Sequence, residues 1–134
     1  MTNEEIIRAG YATFNGGDWG AVPAFFSDDA VIDTSVAFIG PIDYRGRAGA
    51  QRFMDSIEEM FETYVAEPIE VVAEGDHVLC VVDLNGRLRV SGRQVHDREI
   101  QLWRLRDGVI TELRVYRDRA QAEQAMGALK ESGG

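Results

Sequence analysis

Two β-rich runs, Ile100-Gln101-Leu102-Trp103-Arg104-Leu105 and Val109 to Tyr116, are separated by Asp107-Gly108, and this arrangement constrains the fold more than any other stretch of the chain. A tight hairpin turn needs positive φ, which glycine adopts without steric cost, so the two runs are predicted to fold back on one another. Asp118 ends the second run. An aspartate there accepts hydrogen bonds from the free amides of the alanine-rich segment that follows, so strand, cap and helix are written in one stretch.

The chain has 134 residues, 45% of them hydrophobic, which suffices for one core and not two. A single domain over 1–134 is expected, with a core of about 3–128 and a frayed tail at 129–134. The net charge of −9 argues against nucleic acid or an anionic membrane surface as partner, since both need clustered Lys and Arg. That charge is uneven: residues 1–76 carry 15 acids and 4 bases, residues 77–134 carry 8 acids and 10 bases. The single cysteine, Cys80, lies in the apolar run Val78-Leu79-Cys80-Val81-Val82 and reads as a small buried hydrophobe, with no intrachain disulfide possible. The start of the chain shows no basic stretch followed by an apolar one, and no apolar run has membrane-spanning length, so a cytoplasmic protein is expected.

Thr2 to Phe14 reads as a helix, with Thr2 and Glu5 at capping-box spacing, Ile7, Tyr11 and Phe14 on one face, and Gly16-Gly17 as its stop. A shorter helix fits Trp19 to Phe26 behind Asp18. Ala30 to Thr34 reads as a strand, and Gly40 to Gly46 as an ordered loop. Arg47 to Tyr64 returns to helical period, with Phe53, Ile57, Met60, Phe61 and Tyr64 on one face and acids opposite. Strands then follow at Ile69 to Ala73, His77 to Leu84, Val95 to Leu105 and Val109 to Tyr116. Asn85-Gly86 and Ser91-Gly92 are both good turn sequences, which leaves the register of the middle pair open. Helices first and antiparallel strands after predict an α+β domain: three to four helices on one face of a curved, mainly antiparallel sheet, a cone-shaped barrel enclosing an apolar cavity.

The order of elements, with Tyr11-Ala12-Thr13-Phe14-Asn15-Gly16-Gly17-Asp18, Tyr44-Arg45-Gly46-Arg47 and the segment from Trp103 through Asp107-Gly108 to Asp118, resembles the nuclear transport factor 2-like superfamily and its SnoaL-like, polyketide cyclase-like branch. The resemblance implies a homodimer through the outer face of the sheet, where Arg98, Arg104, Arg114 and Tyr116 would lie. It leaves chemistry open, because that superfamily hosts isomerases, cyclases, epoxide hydrolases, dehydratases and non-enzymes on one scaffold. The positions matching the catalytic residues of ketosteroid isomerase are Gly10, Thr34 and Gln101, none of which abstracts a proton. Of the five positions matching limonene epoxide hydrolase, near Ile32, Thr34, Val81, Asp83 and Val115, only Asp83 keeps the required residue type. SnoaL-like cyclases use an aspartate and a histidine, for which Asp83 and His96 are the available types.

If Val81 and Asp83 face the cavity, as the resemblance implies, then alternation along the next strand turns Glu99, Gln101 and Trp103 inward, with Leu113 and Val115 beyond them. Two carboxylates among apolar walls would have raised pKa values suited to acid–base work near neutrality. Asp83 is then the leading base, Glu99 the leading acid, Gln101 a donor to developing oxyanion charge, and Trp103 a wall packed on Phe14 or Phe53. The alternative is that each acid is paired with Arg87, Arg89, Arg98 or Arg114. Thr34, Phe14, Phe53, Met60, Val81 and Val115 are candidate lining residues, and Tyr44, beside Asp43, belongs to the loop expected to close the mouth. His77 and His96 lack metal-ligand spacing and no phosphate-binding glycine loop is present, so neither metal nor cofactor is expected. The expected ligand is a small apolar molecule, transformed by cofactor-free acid–base chemistry or simply bound by a non-catalytic, dimeric accessory domain.

Overall fold

The structure, a computed structural model, describes residues 1–34 and 43–133. Gly40, Pro41 and Ile42 of the expected loop lie outside those residues. The elements run α1 (Asn3–Asn15), a 3₁₀ segment (Trp19–Phe25), β1 (Phe26–Asp33), β2 (Asp43–Arg45), α2 (Gly46–Met60), β3 (Phe61–Glu74), β4 (His77–Leu88), β5 (Gln94–Arg106), β6 (Val109–Tyr116) and α3 (Arg119–Gly133). The strands form one sheet in the order β2-β1-β6-β5-β4-β3, antiparallel throughout except where β1 runs parallel to β6. The α+β class is as expected; the sheet stays open, with β2 and β3 as its edges.

Local chemistry accounts for most of these boundaries. The Thr2 hydroxyl accepts from the Glu5 amide at 3.1 Å while the Thr2 amide donates to the Glu5 carboxylate at 3.0 Å, a complete capping box. Pro23 sits inside the second helical segment, where a missing N–H cannot sustain an α-helical ladder, and the segment is 3₁₀ rather than the predicted α-helix. Asp107 and Gly108 both have positive φ, +52° and +81°, the geometry of a tight hairpin turn. The Asp118 carboxylate accepts from the Ala120 amide at 2.8 Å and starts α3, which continues to Gly133, into the stretch expected to fray. At the other end of α1, the Asn15 carboxamide pairs with both backbone groups of Ala66, at 2.8 and 2.9 Å, and ties the helix to β3.

The strand read as starting at Ala30 starts at Phe26, Asp43–Arg45 of the expected loop form β2, and two further differences share a cause. The helix predicted to reach Tyr64 ends at Met60, and Phe61 and Tyr64 belong to β3. Asn85-Gly86 is not a turn but lies within β4; the chain reverses over residues 89–93. One contact explains both. A Cβ on Gly86 would lie 2.8 Å from the Phe61 ring and 3.0 Å from the Tyr64 ring, so the missing side chain lets these two rings pack across the β3–β4 pair.

The core is split between the two faces of the sheet. On the inner face α1, the 3₁₀ segment and α2 cover a large cluster that includes Ile7, Tyr11, Phe26, Ile57, Phe61, Cys80 and Leu113. The helices were expected on one face only; α3 instead covers the outer face, where Ala122 and Met126 pack on Leu79, Val81, Ile100 and Leu102. The strip left exposed on the edge strand β3 includes Val65 and Val72. Cys80 is fully buried, as read from the sequence, and burial pushes its thiol up to about 12.

His77, at the start of β4, is buried with its Nε2 lacking a hydrogen-bond partner. Burial, and next the Arg104 guanidinium, lower its pKa from 6.5, against the pull of Asp76, Glu112 and Glu74. A lowered folded pKa gives stability that is present above pH 6.5 and lost as the pH falls through the folded value. His77→Phe is therefore expected to flatten the acid limb of the pH–Tm curve. An unchanged acid limb would show that His77 does not carry it.

Candidate functional site

The inner face of the sheet and the three helical segments above it border a partly open apolar cavity of about 80 Å³. Its walls are Ile7, Tyr11 and Phe14 from α1, Val22, Phe25 and Phe26, then Ala50, Phe53, Met54 and Ile57 from α2, and Tyr64, Leu84, Trp103 and Leu113 from the sheet. The volume is about half the roughly 150 Å³ of an apolar cavity that takes up benzene, so in this conformation it suits a compact group. Seven of the lining side chains are aromatic, and no Lys, Arg or His is found among the described lining residues.

Strand register decides which polar groups reach it. In β4 and β5 Cys80 lies opposite Gln101, Val82 opposite Glu99, and Asp83 opposite Arg98. Directly opposed residues share a face, so Glu99, Gln101 and Trp103 point inward together with Val78, Cys80 and Val82. Val81 and Asp83 point the other way. This corrects the expectation that they face the cavity: Val81 lies under α3, and Asp83 accepts from the Arg98 guanidinium at 2.8 Å on the outer face. That hydrogen bond, opposed only in part by desolvation, holds the Asp83 carboxyl below its usual value. Asp83→Asn is thus expected to leave the cavity and its ligand affinity unchanged, which side-by-side binding titrations would check.

The other candidates divide similarly. Phe14 and Phe53 line the cavity, while Met60 packs on the core beside it. Val115, opposite Gln101, is buried on the inner face outside the lining, and Thr34 is fully buried just after β1 and also outside it. Tyr44 is not in a loop over the mouth but in β2, buried, with its ring 5.3 Å from that of Phe53 and its hydroxyl 3.2 Å from the Ser56 Oγ. His96 is exposed at the far end of β5. Trp103 packs not on Phe14 or Phe53 but on Tyr11, edge to face at 5.8 Å, and on Phe26 at 6.1 Å.

The polar groups of the cavity form one directed chain. Trp103 Nε1 donates to the Tyr11 hydroxyl at 2.9 Å, Tyr11 donates to Gln101 Oε1 in a short bond, and Gln101 Nε2 donates to Glu99 Oε1 at 2.8 Å. The chain ends on Glu99, which is 4% exposed and whose Oε2 has no hydrogen-bond partner. Burial raises the Glu99 carboxyl above 4.5, while the Gln101 hydrogen bond and then Arg117 pull it back and Asp97 adds to the rise. Arg117 and Asp97 are themselves paired at 2.6 Å. Burial also lifts the Tyr11 and Tyr64 phenols well above 10, so both stay protonated. Gln101 was expected to donate to substrate; one of its N–H groups is instead committed to Glu99.

Tyr11 is the polar lining residue that the sequence reading passed over. It sits between Ile7 and Phe14 on a helical stripe, where a ring reads as core. The signal was its hydroxyl, because a phenol on a fully buried stripe needs a partner inside the protein.

Among the described residues no group of three or more His, Cys, Asp or Glu side chains could hold a metal ion, and no helix is long and apolar enough to cross a membrane. Comparison with known proteins finds a match of residues 7–113 to the family model described as a SnoaL-like domain. No curated protein matches the chain. Similar solved structures include a putative polyketide cyclase from Xanthomonas campestris pv. campestris, with 23% identity, a TM-score of 0.75, and coverage of 88% of this chain and 91% of that one. A protein with a ketosteroid isomerase-like fold from Catenulispora acidiphila DSM 44928, in complex with trimethylamine, has 20% identity, a TM-score of 0.76, and coverage of 90% of this chain and 91% of that one. TerC co-crystallized with polyporic acid has 21% identity, a TM-score of 0.73, and coverage of 91% and 95%. At these identities the likeness establishes a common fold.

Proposed function

The chain belongs to the SnoaL-like domain family, and on that premise we propose that it binds a small, largely apolar molecule in the inner cavity and exchanges a proton with it through Glu99, without a cofactor. The observation that carries this reading is the bare, buried Glu99 Oε2 at the end of the Trp103–Tyr11–Gln101 chain. A carboxyl raised above its usual value holds a proton for delivery more readily than a free one and, once ionised, accepts one. The donor chain fixes which oxygen is used, since Oε1 is engaged and Oε2 is free. Asp83 has no part in this scheme. The reaction classes that a single carboxyl serves are isomerisation, cyclisation and hydrolysis of an activated ring such as an epoxide, and the ligand enters as a compact group between the aromatic walls.

The test is a panel of small epoxides, hydroxy-epoxides and cyclic ketones followed by NMR with wild type and Glu99→Gln. Conversion of at least one by wild type, lowered about 10²–10⁴-fold in the variant, is the expected result. Binding without conversion across the panel would favour the second reading, a non-catalytic ligand-binding domain. A homodimer through the outer sheet face belongs to the same proposal. The exposed Val65 and Val72 on β3 are its motivation, and light scattering on the purified chain would show a dimer or exclude it.

A further inference from the structure

We infer that the cavity selects a ligand bearing positive charge, a small alkylammonium group or a substrate centre that becomes cationic as it reacts, held with its charge against Glu99 Oε2 and its carbon body against the aromatic walls. The inference rests on the proposed reading of the cavity as a ligand site and adds the chemical class of what enters it.

Every hydrogen bond in the polar chain points the same way. Trp103 and Tyr11 commit their only donors inside it, and Gln101 directs an N–H to Glu99. Aligned donors that end on a carboxylate favour its ionised form, since each bond in such a chain polarises the next. The far oxygen of that carboxylate has no hydrogen-bond partner, and apart from Tyr11 and Gln101 the side chains that line the pocket with it are apolar or aromatic, so the ion is left half-compensated at a buried site. A cation beside Oε2 supplies the missing partner. An anion there would bury like charges together, and a neutral ligand leaves the carboxylate as it was.

The walls favour the same ligand. Phe14, Phe26, Phe53, Tyr64 and Trp103 line the same pocket as Glu99, and aromatic faces attract alkylammonium ions more strongly once water is removed. No cationic side chain among the described lining residues competes for this position. The titratable groups around Glu99 do not supply a counter-charge within the cavity. Tyr11 on α1, Tyr64 on β3 and Cys80 on β4 all remain neutral, and Asp97 on β5 is paired with Arg117. Tyr11 and Trp103 have no donor left for an oxyanion in the cavity, which leaves the second Gln101 N–H to stabilise one.

Three probes with one tert-butyl body separate the possibilities: tert-butylammonium, tert-butanol and pivalate, each titrated into the intact chain and followed by NMR at Trp103 Nε1–H and the Glu99 carboxyl. The expected result is that tert-butylammonium binds about tenfold or more tightly than tert-butanol, with pivalate not bound. That preference should vanish in Glu99→Gln. In wild type, tert-butylammonium affinity should rise with pH as Glu99 ionises and then level off, a readout that needs no variant. Equal binding of the ammonium and the alcohol, or better binding of pivalate, would overturn the charge preference while leaving the cavity as a ligand site. Failure of all three to perturb Trp103 or Glu99 would remove the ligand site itself, and the inference with it.

Discussion

Tyr11→Phe is expected to lower stability by about 1–3 kcal/mol, more than loss of one exposed hydroxyl, because it strands two part-buried groups at once. The Tyr11 oxygen accepts from Trp103 and its proton goes to Gln101. With phenylalanine in its place the Trp103 N–H and the Gln101 Oε1 both lose their partners, and the ring packing against Trp103 at 5.8 Å survives to keep them largely away from water. A second consequence is chemical. Gln101 is oriented by Tyr11, and once released its carboxamide can turn its oxygen toward Glu99, which raises the Glu99 pKa further. Thermal unfolding measures the first effect. A shift of the Glu99 titration toward higher pH measures the second, and a purely structural role for Tyr11 would leave that titration in place.

Glu99→Gln is expected to act in the opposite direction on stability. Burial raises the Glu99 carboxyl above 4.5, so the folded chain holds this proton more tightly than the unfolded chain does. The stability it contributes is therefore complete below pH 4.5 and lost as the pH rises through the folded value. The isosteric amide keeps an acceptor for Gln101 and cannot ionise. At about pH 8 the variant should be more stable than wild type by about 1–3 kcal/mol, the cost of a buried charged group left partly unsatisfied. Below pH 4.5 the two should converge. The same substitution is the one expected to lower turnover, and a gain in stability paired with a loss of activity is the pattern of a functional group held at a structural cost.

The parts of the fold legible in the sequence are those set by short-range chemistry. The capping box at Thr2 and Glu5, the Asp107-Gly108 turn and the Asp118 cap each depend on a few adjacent residues, and each is present. Where two periodicities coincide the sequence is ambiguous. Phe61 and Tyr64 continue a helical stripe from Ile57 and also suit a strand, and only their packing over Gly86 decides for the strand. The candidate site was legible on one strand and misread on its neighbour. Glu99, Gln101 and Trp103 share a face by simple alternation along β5. The matching face of β4 could not be read, because residues 77–82 are buried on both sides, by the inner helices and by α3, and a run buried on both sides shows no alternation. A one-residue difference in register then exchanges Asp83 for Val82 opposite Glu99. The role of Tyr11 was hidden for another reason: its partners, Gln101 and Trp103, lie 90 and 92 residues away in the chain.

The most direct test of the account is the side-chain carboxyl pKa of Glu99, read by ¹³C NMR through a pH titration of the ligand-free protein with Asp83 as the internal comparison. Glu99 is expected to titrate above 4.5 and Asp83 below 3.8. A Glu99 value at or below 4.5 would mean a carboxyl that is solvated or fully paired, and would contradict its role as the proton-exchanging group of the cavity.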